Sequence, residues 1–128
     1  MRPSPRYTVT SWRRRLMRRA REPMNDDRIK QFEEVLALDP DDPVVRFGLA
    51  QELMDADRHS EAVPHLREAL RVKADYSVCY HLLGLCLETL GDTADAREVY
   101  QGGIETARAR GDLHVVHLME ERMKGMET

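Results

Sequence analysis

The chain has 128 residues, of which 41% are hydrophobic and 34% charged, enough apolar material for one domain with its own core and a large solvated surface. No apolar run approaches the about 18 residues of a membrane span, so a transmembrane helix is excluded from the reading. The net charge of −3 joins two unlike parts: residues 1–23 carry eight arginines against Glu22, a balance of +7, while the rest of the chain holds 12 basic and 22 acidic side chains.

Met1 to Pro23 is expected to be a basic, disordered N-terminal extension outside the folded domain, because it offers little apolar surface: Trp12, Leu16, Met17 and Ala20 among the arginines. Several roles stay open for it. It reads as a leader ahead of a start at Met24, as an arginine-rich targeting peptide, or as an arm for nucleic-acid or lipid phosphates. It also has the charge to fold back on the acidic remainder. No apolar stretch follows the arginines, which argues against a secretory signal.

From Met24 onward the apolar residues recur at helical spacing. A first helix is expected over 26–38, capped by Asn25 or Asp26 and closed by Asp39-Pro40-Asp41-Asp42-Pro43. Further helices are expected over 43–56, 59–72, 77–90, 93–110 and 113–124. Asp55-Ala56-Asp57-Arg58 reads as a tight turn, and Gly111 followed by Asp112 as a C-terminal glycine and a new N-cap. Pro64 stands about one turn into its helix, where it removes one backbone bond. The two cysteines, Cys79 and Cys86, lie seven residues apart on one helix, too far for a bridge. They read as small apolar residues of a reducing compartment, and a cytoplasmic setting follows.

These helices repeat. Leu49 and Leu83, Ala50 and Gly84, Leu53 and Leu87, Ala62 and Ala96, and Leu70 and Ile104 each stand 34 residues apart. A period in this range marks a solenoid of one supersecondary unit. Small residues recur at matched places, Ala50/Gly84, Ala62/Ala96 and Ala69/Gly103, where a missing side chain lets helices approach; Gly84 and Ala96 are expected to meet at one such crossing.

The segment 77–110, with Tyr80, Leu83, Gly84, the Gly91-Asp92 turn, Ala96 and Tyr100, resembles the tetratricopeptide repeat (TPR) family, as does 43–76. The earlier segment departs at Arg46, where an aromatic is usual, and at Asp57 in place of the turn glycine. The resemblance implies an all-α, short right-handed TPR-like solenoid of antiparallel helix hairpins. Its domain spans 24–128, with full repeats at 43–76 and 77–110, a lone second-type helix before them and a capping helix at 113–124 that places Leu113 where Cys79 stands. Arg28 falls where Ala62 and Ala96 fall, which is tolerable if no helix of its own repeat precedes it.

Nothing in the chain assembles a reaction centre. His114 and His117 share a helix face, but no third ligand stands at a fixed offset, so no metal and no cofactor are expected. The carboxylates fall in turns and on outer faces, and Gly102-Gly103 lies within a helix rather than in a phosphate loop. The protein is read as a non-enzyme.

In TPR-like stacks the first helix of each hairpin, the A helix, lines the concave face. The resemblance places Val44, Phe47, Gln51 and Met54 there, with His81, Leu82, Leu85 and Glu88 from the next repeat and Val115 or Val116 with Met119 from the last helix. Phe47 is the expected exposed anchor, His81 a polar handle, and Gln51 and Glu88 orienting groups. The places that grip a terminal carboxylate in chaperone-binding members hold Phe47, Gln51, Leu82, Asp112 and Val116, none of them basic. The expected function is therefore an adaptor or assembly module that binds a protein or peptide partner in an apolar groove. Self-association as a homo-oligomer and nucleic-acid association through residues 1–23 are the alternatives. The methionine-rich end, Met119, Met123 and Met126, is read as a cap or a self-association patch.

Overall fold

A computed structural model of the protein describes residues 25–127; the arginine-rich segment lies outside them. Six helices run through the described residues, with no strand among them: α1 (25–38), α2 (Pro43–Asp55), α3 (His59–Val72), α4 (Ser77–Thr89), α5 (Thr93–Arg110) and α6 (Leu113–Met126). Neighbours in the chain are neighbours in space. The hairpins α2/α3 and α4/α5 are the largest contacts, and α3 packs on α4 and α5 on α6. The A helices α2, α4 and α6 also touch in succession, which makes the chain a solenoid rather than a closed bundle.

Local chemistry sets the helix ends. Pro43 opens α2, where its missing N–H is harmless, and the Asp42 carboxylate accepts from Val44 N at 2.9 Å and Val45 N at 3.2 Å. Three turns share one backbone form. Asp57, Gly91 and Gly111 all have positive φ, 61°, 85° and 78°. The next residue's N–H then reaches back into the preceding helix, from Arg58 to Leu53 O, Asp92 to Leu87 O and Asp112 to Ala107 O. This arrangement satisfies carbonyls the helix leaves open. Asp57 thus holds the left-handed conformation that glycine holds 34 residues later, a place that aspartate tolerates better than most side chains.

Two capping expectations are corrected. The chain is already helical at Asn25 and Asp26, and Asn25 is buried, so neither stands outside the helix as a cap. Asp112 precedes α6 but caps it with no side-chain bond. Its carboxylate is instead taken up by the Ser77 hydroxyl at 2.5 Å and by Arg110 at 3.2 Å, a link between successive repeats.

The core runs along the stack as one cluster that includes Leu49, Leu53, Leu66, Cys79, Leu83, Tyr100 and Met119. Ala50, Ala62, Ala69 and Ala96 are fully buried, as close helix crossings require. Tyr100, one turn after buried Ala96 on α5, supplies the closest contact at Gly84. The atoms nearest a β-carbon at Gly84 all belong to the Tyr100 ring, which lies flat on the missing side chain. Gly103 does the same work one crossing on: a β-carbon there would stand 2.5 Å from Tyr80 Cβ and 2.6 Å from Met119 Sδ. The sequence reading overlooked Gly48, which admits the Phe32 ring of α1 in the same way.

The C-terminal helix is turned to close the stack. Leu113, matched by period to buried Cys79, is 71% exposed, while Val116 and Met119 are buried. With no helix beyond it in the described residues, α6 has nothing to bury the face that α4 turns to α5. That face carries exposed His117 and Glu121 and half-buried Glu120. Met123 and Met126 are partly buried and pack on the core.

Adjacent glycines in α5 should respond oppositely to substitution. Gly102 has only Tyr80 Cε1 nearby, at 4.0 Å, so Gly102→Ala should stabilise by up to about 1 kcal/mol through helix propensity. Gly103→Ala should overpack against Tyr80 and lose roughly 1–3 kcal/mol. Urea unfolding of the two variants measures the contrast, and equal midpoints would show that the α4–α5 crossing is looser than described.

Candidate protein-binding groove

The A helices α2, α4 and α6 lie side by side, and the residues expected to line a groove sit along them in two unlike groups. In α2, Val44 is 60% exposed and Gln51 is exposed. Phe47 is half-buried: its ring packs on Tyr76 with centroids 5.2 Å apart and planes tilted by 36°. Lys73 Nζ stands 4.9 Å over the other ring of that pair. The expectation of Phe47 as a freely exposed anchor is therefore corrected; it is one wall of an aromatic pair that joins α2 to the start of α4. Met54 packs against the core. Tyr76 and Lys73 were missed, because neither lies on an A helix and nothing in the spacing brings them beside Phe47.

In α4, His81, Leu82 and Leu85 are half-buried, and Leu82 packs against the core. Glu88 is largely buried and fully engaged. It accepts from Arg122 Nε at 3.0 Å and Nη2 at 2.9 Å, and from the Tyr100 hydroxyl. Burial alone would raise the Glu88 pKa, but the hydrogen bonds from Arg122 and Tyr100 outweigh it and hold the carboxyl below its ordinary value of 4.5. Burial, and then the bond to Glu88, raise the Tyr100 phenol. Glu88 is thus no free orienting group for a ligand; it ties α4, α5 and α6 together. Burial and then the Arg122 charge lower the pKa of His81, which favours a neutral imidazole. Val115 is half-buried, and Val116 and Met119 are buried.

Elsewhere the chemistry is structural. Among the described residues no three histidine, cysteine or acidic side chains gather as metal ligands, and no described helix is long and apolar enough to cross a membrane. Cys79 and Cys86 are free and buried. Burial, with the neighbouring Cys86, pushes the Cys79 thiol up to about 12, and burial raises Cys86 to about 11. Such thiols are poor nucleophiles.

Two overlapping stretches, residues 26–78 and 47–112, match the model of the Tetratricopeptide repeat family. With its stacked helix hairpins, the chain belongs to that family, whose domains generally mediate protein–protein interaction and are not typically enzymes. It is similar to a TPR repeat-containing protein of Pseudomonas aeruginosa, 34% identical over 84 residues that make up 66% of this chain and 80% of the relative. The solution structure of a Bordetella parapertussis protein matches with a TM-score of 0.69 at 32% identity, covering 77% of this chain and 86% of that one. A crystal structure of a tetratricopeptide repeat domain protein from Salinibacter ruber matches at 0.64 and 34% identity, covering 67% and 96%.

The Glu88 network should show in the pH dependence of stability. A carboxyl with a depressed folded pKa contributes fully above its unfolded value, near 4.5, and loses that contribution as pH falls through the lower folded value. Glu88→Gln should therefore lower stability at neutral pH and flatten the acid limb below that value. Parallel acid limbs for the two proteins would contradict the ion pair. The cysteines supply a second check: a thiol-specific disulfide reagent should label neither in the native protein and both after unfolding.

Proposed function

We propose that this protein is a non-enzymatic adaptor or assembly partner that holds an apolar peptide or amphipathic helix along the α2 side of its concave face, next to α4. The observation that carries this reading is the contrast between the two groups on the A helices. Glu88 is already paired within the protein, so the α4–α6 end offers little unsatisfied polar chemistry. The α2 end presents exposed Val44 and Gln51 beside the Phe47–Tyr76 pair.

In this reading Phe47 and Tyr76 give an apolar wall, Val44 and Met54 extend it along α2, and Gln51 supplies a hydrogen bond to a peptide backbone. His81, Leu82 and Leu85 form the facing side, and interface energy concentrates in the central aromatic residues. The buried free thiols support a reducing setting, and the proposal places the protein in the cytoplasm.

A photo-crosslinking amino acid placed at Gln51 tests the site without disturbing the core. It should capture a partner in cells, whereas the same group at exposed Glu98 on α5 should capture none. Capture from Glu98 alone would move the binding surface to the B helices and overturn the groove reading.

A further inference from the structure

Arg46 is a point at which the first full repeat departs from the second. Its period mate is Tyr80, and the two side chains keep one contact in common. Arg46 Nε donates to Pro40 O at 2.9 Å, and the Tyr80 hydroxyl to Ala74 O at 2.9 Å. Pro40 and Ala74 are themselves 34 residues apart, so each A helix reaches back to the equivalent carbonyl of the turn before it. A phenol has one proton to give and stops there, whereas a guanidinium has several N–H donors. Arg46 spends another, on Nη1, at His65 Nδ1 of α3, 3.0 Å away. Val99 holds the place of His65 in the next unit and has no such acceptor. The extra bond belongs to the α2/α3 hairpin and not to α4/α5.

Arginine only donates, so the bond fixes the imidazole: Nδ1 carries the lone pair and Nε2 the proton. Around the half-buried ring stand Glu33 on α1 and Glu61 one turn earlier on α3. From α4, Cys79 turns an uncharged thiol to α3, bonded to Leu66 O. Burial first, and then the Arg46 charge, hold the His65 pKa below its ordinary 6.5 against the pull of Glu33 and Glu61. Between the two values the unfolded chain binds more protons than the folded one. The contribution of the bond is therefore complete above 6.5 and is lost as pH falls through the lower folded value. A proton on Nδ1 removes the acceptor and sets imidazolium against guanidinium. The exposed Arg71–Asp41 pair, at 3.4 Å, also ties the α1–α2 turn to α3, but a surface pair of that kind holds weakly.

We infer that the Arg46–His65 pair is a proton-operated latch on the α1–α2 turn. With His65 neutral, one guanidinium holds the Pro40 carbonyl of that turn and α3 together. With His65 protonated, Arg46 lets α3 go and the turn loosens from the hairpin, while the Glu88–Arg122 join at the α4–α6 end stays closed down to the carboxylate range. The latch does not depend on the groove proposed above, although Arg46 stands next to Phe47 in α2.

Imidazole 15N NMR of the full chain, titrated from neutral to mildly acidic pH, tests the latch, with the His65 signal assigned by its loss in His65→Gln. His65 should be the Nε2–H tautomer at neutral pH. The amides of Asp42 and Arg46, bonded to Asp39 O and Asp42 O, report the turn. Their hydrogen exchange, corrected for the intrinsic pH dependence of exchange, should accelerate several-fold as His65 takes up its proton. Arg46→Tyr installs the side chain that the second repeat uses at this place. It should keep the tie to Pro40 O, move the His65 midpoint upward and remove the step in exchange. Three results overturn the proposal. One is a His65 protonated on Nδ1 at neutral pH. Another is protection of Asp42 and Arg46 that ignores the titration. The third is a step that persists unchanged in Arg46→Tyr. The first two are read on the unaltered protein and stand whatever the stability of the variant.

Discussion

The absence of a side chain at Gly84 is the constraint on which the C-terminal half of the molecule depends. It lets the Tyr100 ring lie against the backbone of α4 and become fully buried. That placement carries the phenol to Glu88, and Glu88 in turn receives the Arg122 guanidinium from α6. One missing β-carbon thus joins the packing of a hairpin to the attachment of the next helix. The bonds stand partly out of water, where a bidentate arginine–carboxylate pair is stronger than a surface ion pair.

The same device recurs with different partners. Gly103 receives Tyr80 and Met119, and Gly48 receives Phe32. At Gly48 and Gly84 an aromatic ring fills the space the glycine leaves, and at Gly103 the Tyr80 β-carbon and the Met119 sulfur do. Leucines and alanines then complete the interior between crossings. The polar links Ser77–Asp112, Arg110–Asp75 and Arg122–Glu88 each join residues 34 or 35 apart, so successive units are registered by hydrogen bonds as well as by packing. A stack of near-neighbour contacts of this kind presents long helix faces, a geometry that suits recognition.

The A helices differ along the stack in what they leave exposed. Toward α6 the protein has used its own charged groups to close the stack. Toward α2 it leaves Val44 and Gln51 exposed next to an aromatic pair. The change from Asp57 to Gly91 at equivalent turns, with the same left-handed backbone, shows that the units differ in side chains while keeping their shape.

The helices, their order and the repeat were legible in the sequence, because each rests on local or periodic chemistry. Helix spacing of apolar residues, the Asp42-Pro43 start and the glycines at 91 and 111 act within a few residues of chain, and the 34-residue phase of Leu49/Leu83 or Ala62/Ala96 needs only counting. What covers each side chain was decided by tertiary structure alone. Phe47 and Glu88 read as free groove residues until Tyr76 and Arg122 arrive from other elements, and Leu113, placed by period where buried Cys79 stands, lies exposed on α6. Periodicity assigns a residue to a helix face. Which neighbour lies across that face, and whether it satisfies the residue or leaves it for a partner, depends on contacts between segments far apart in the chain.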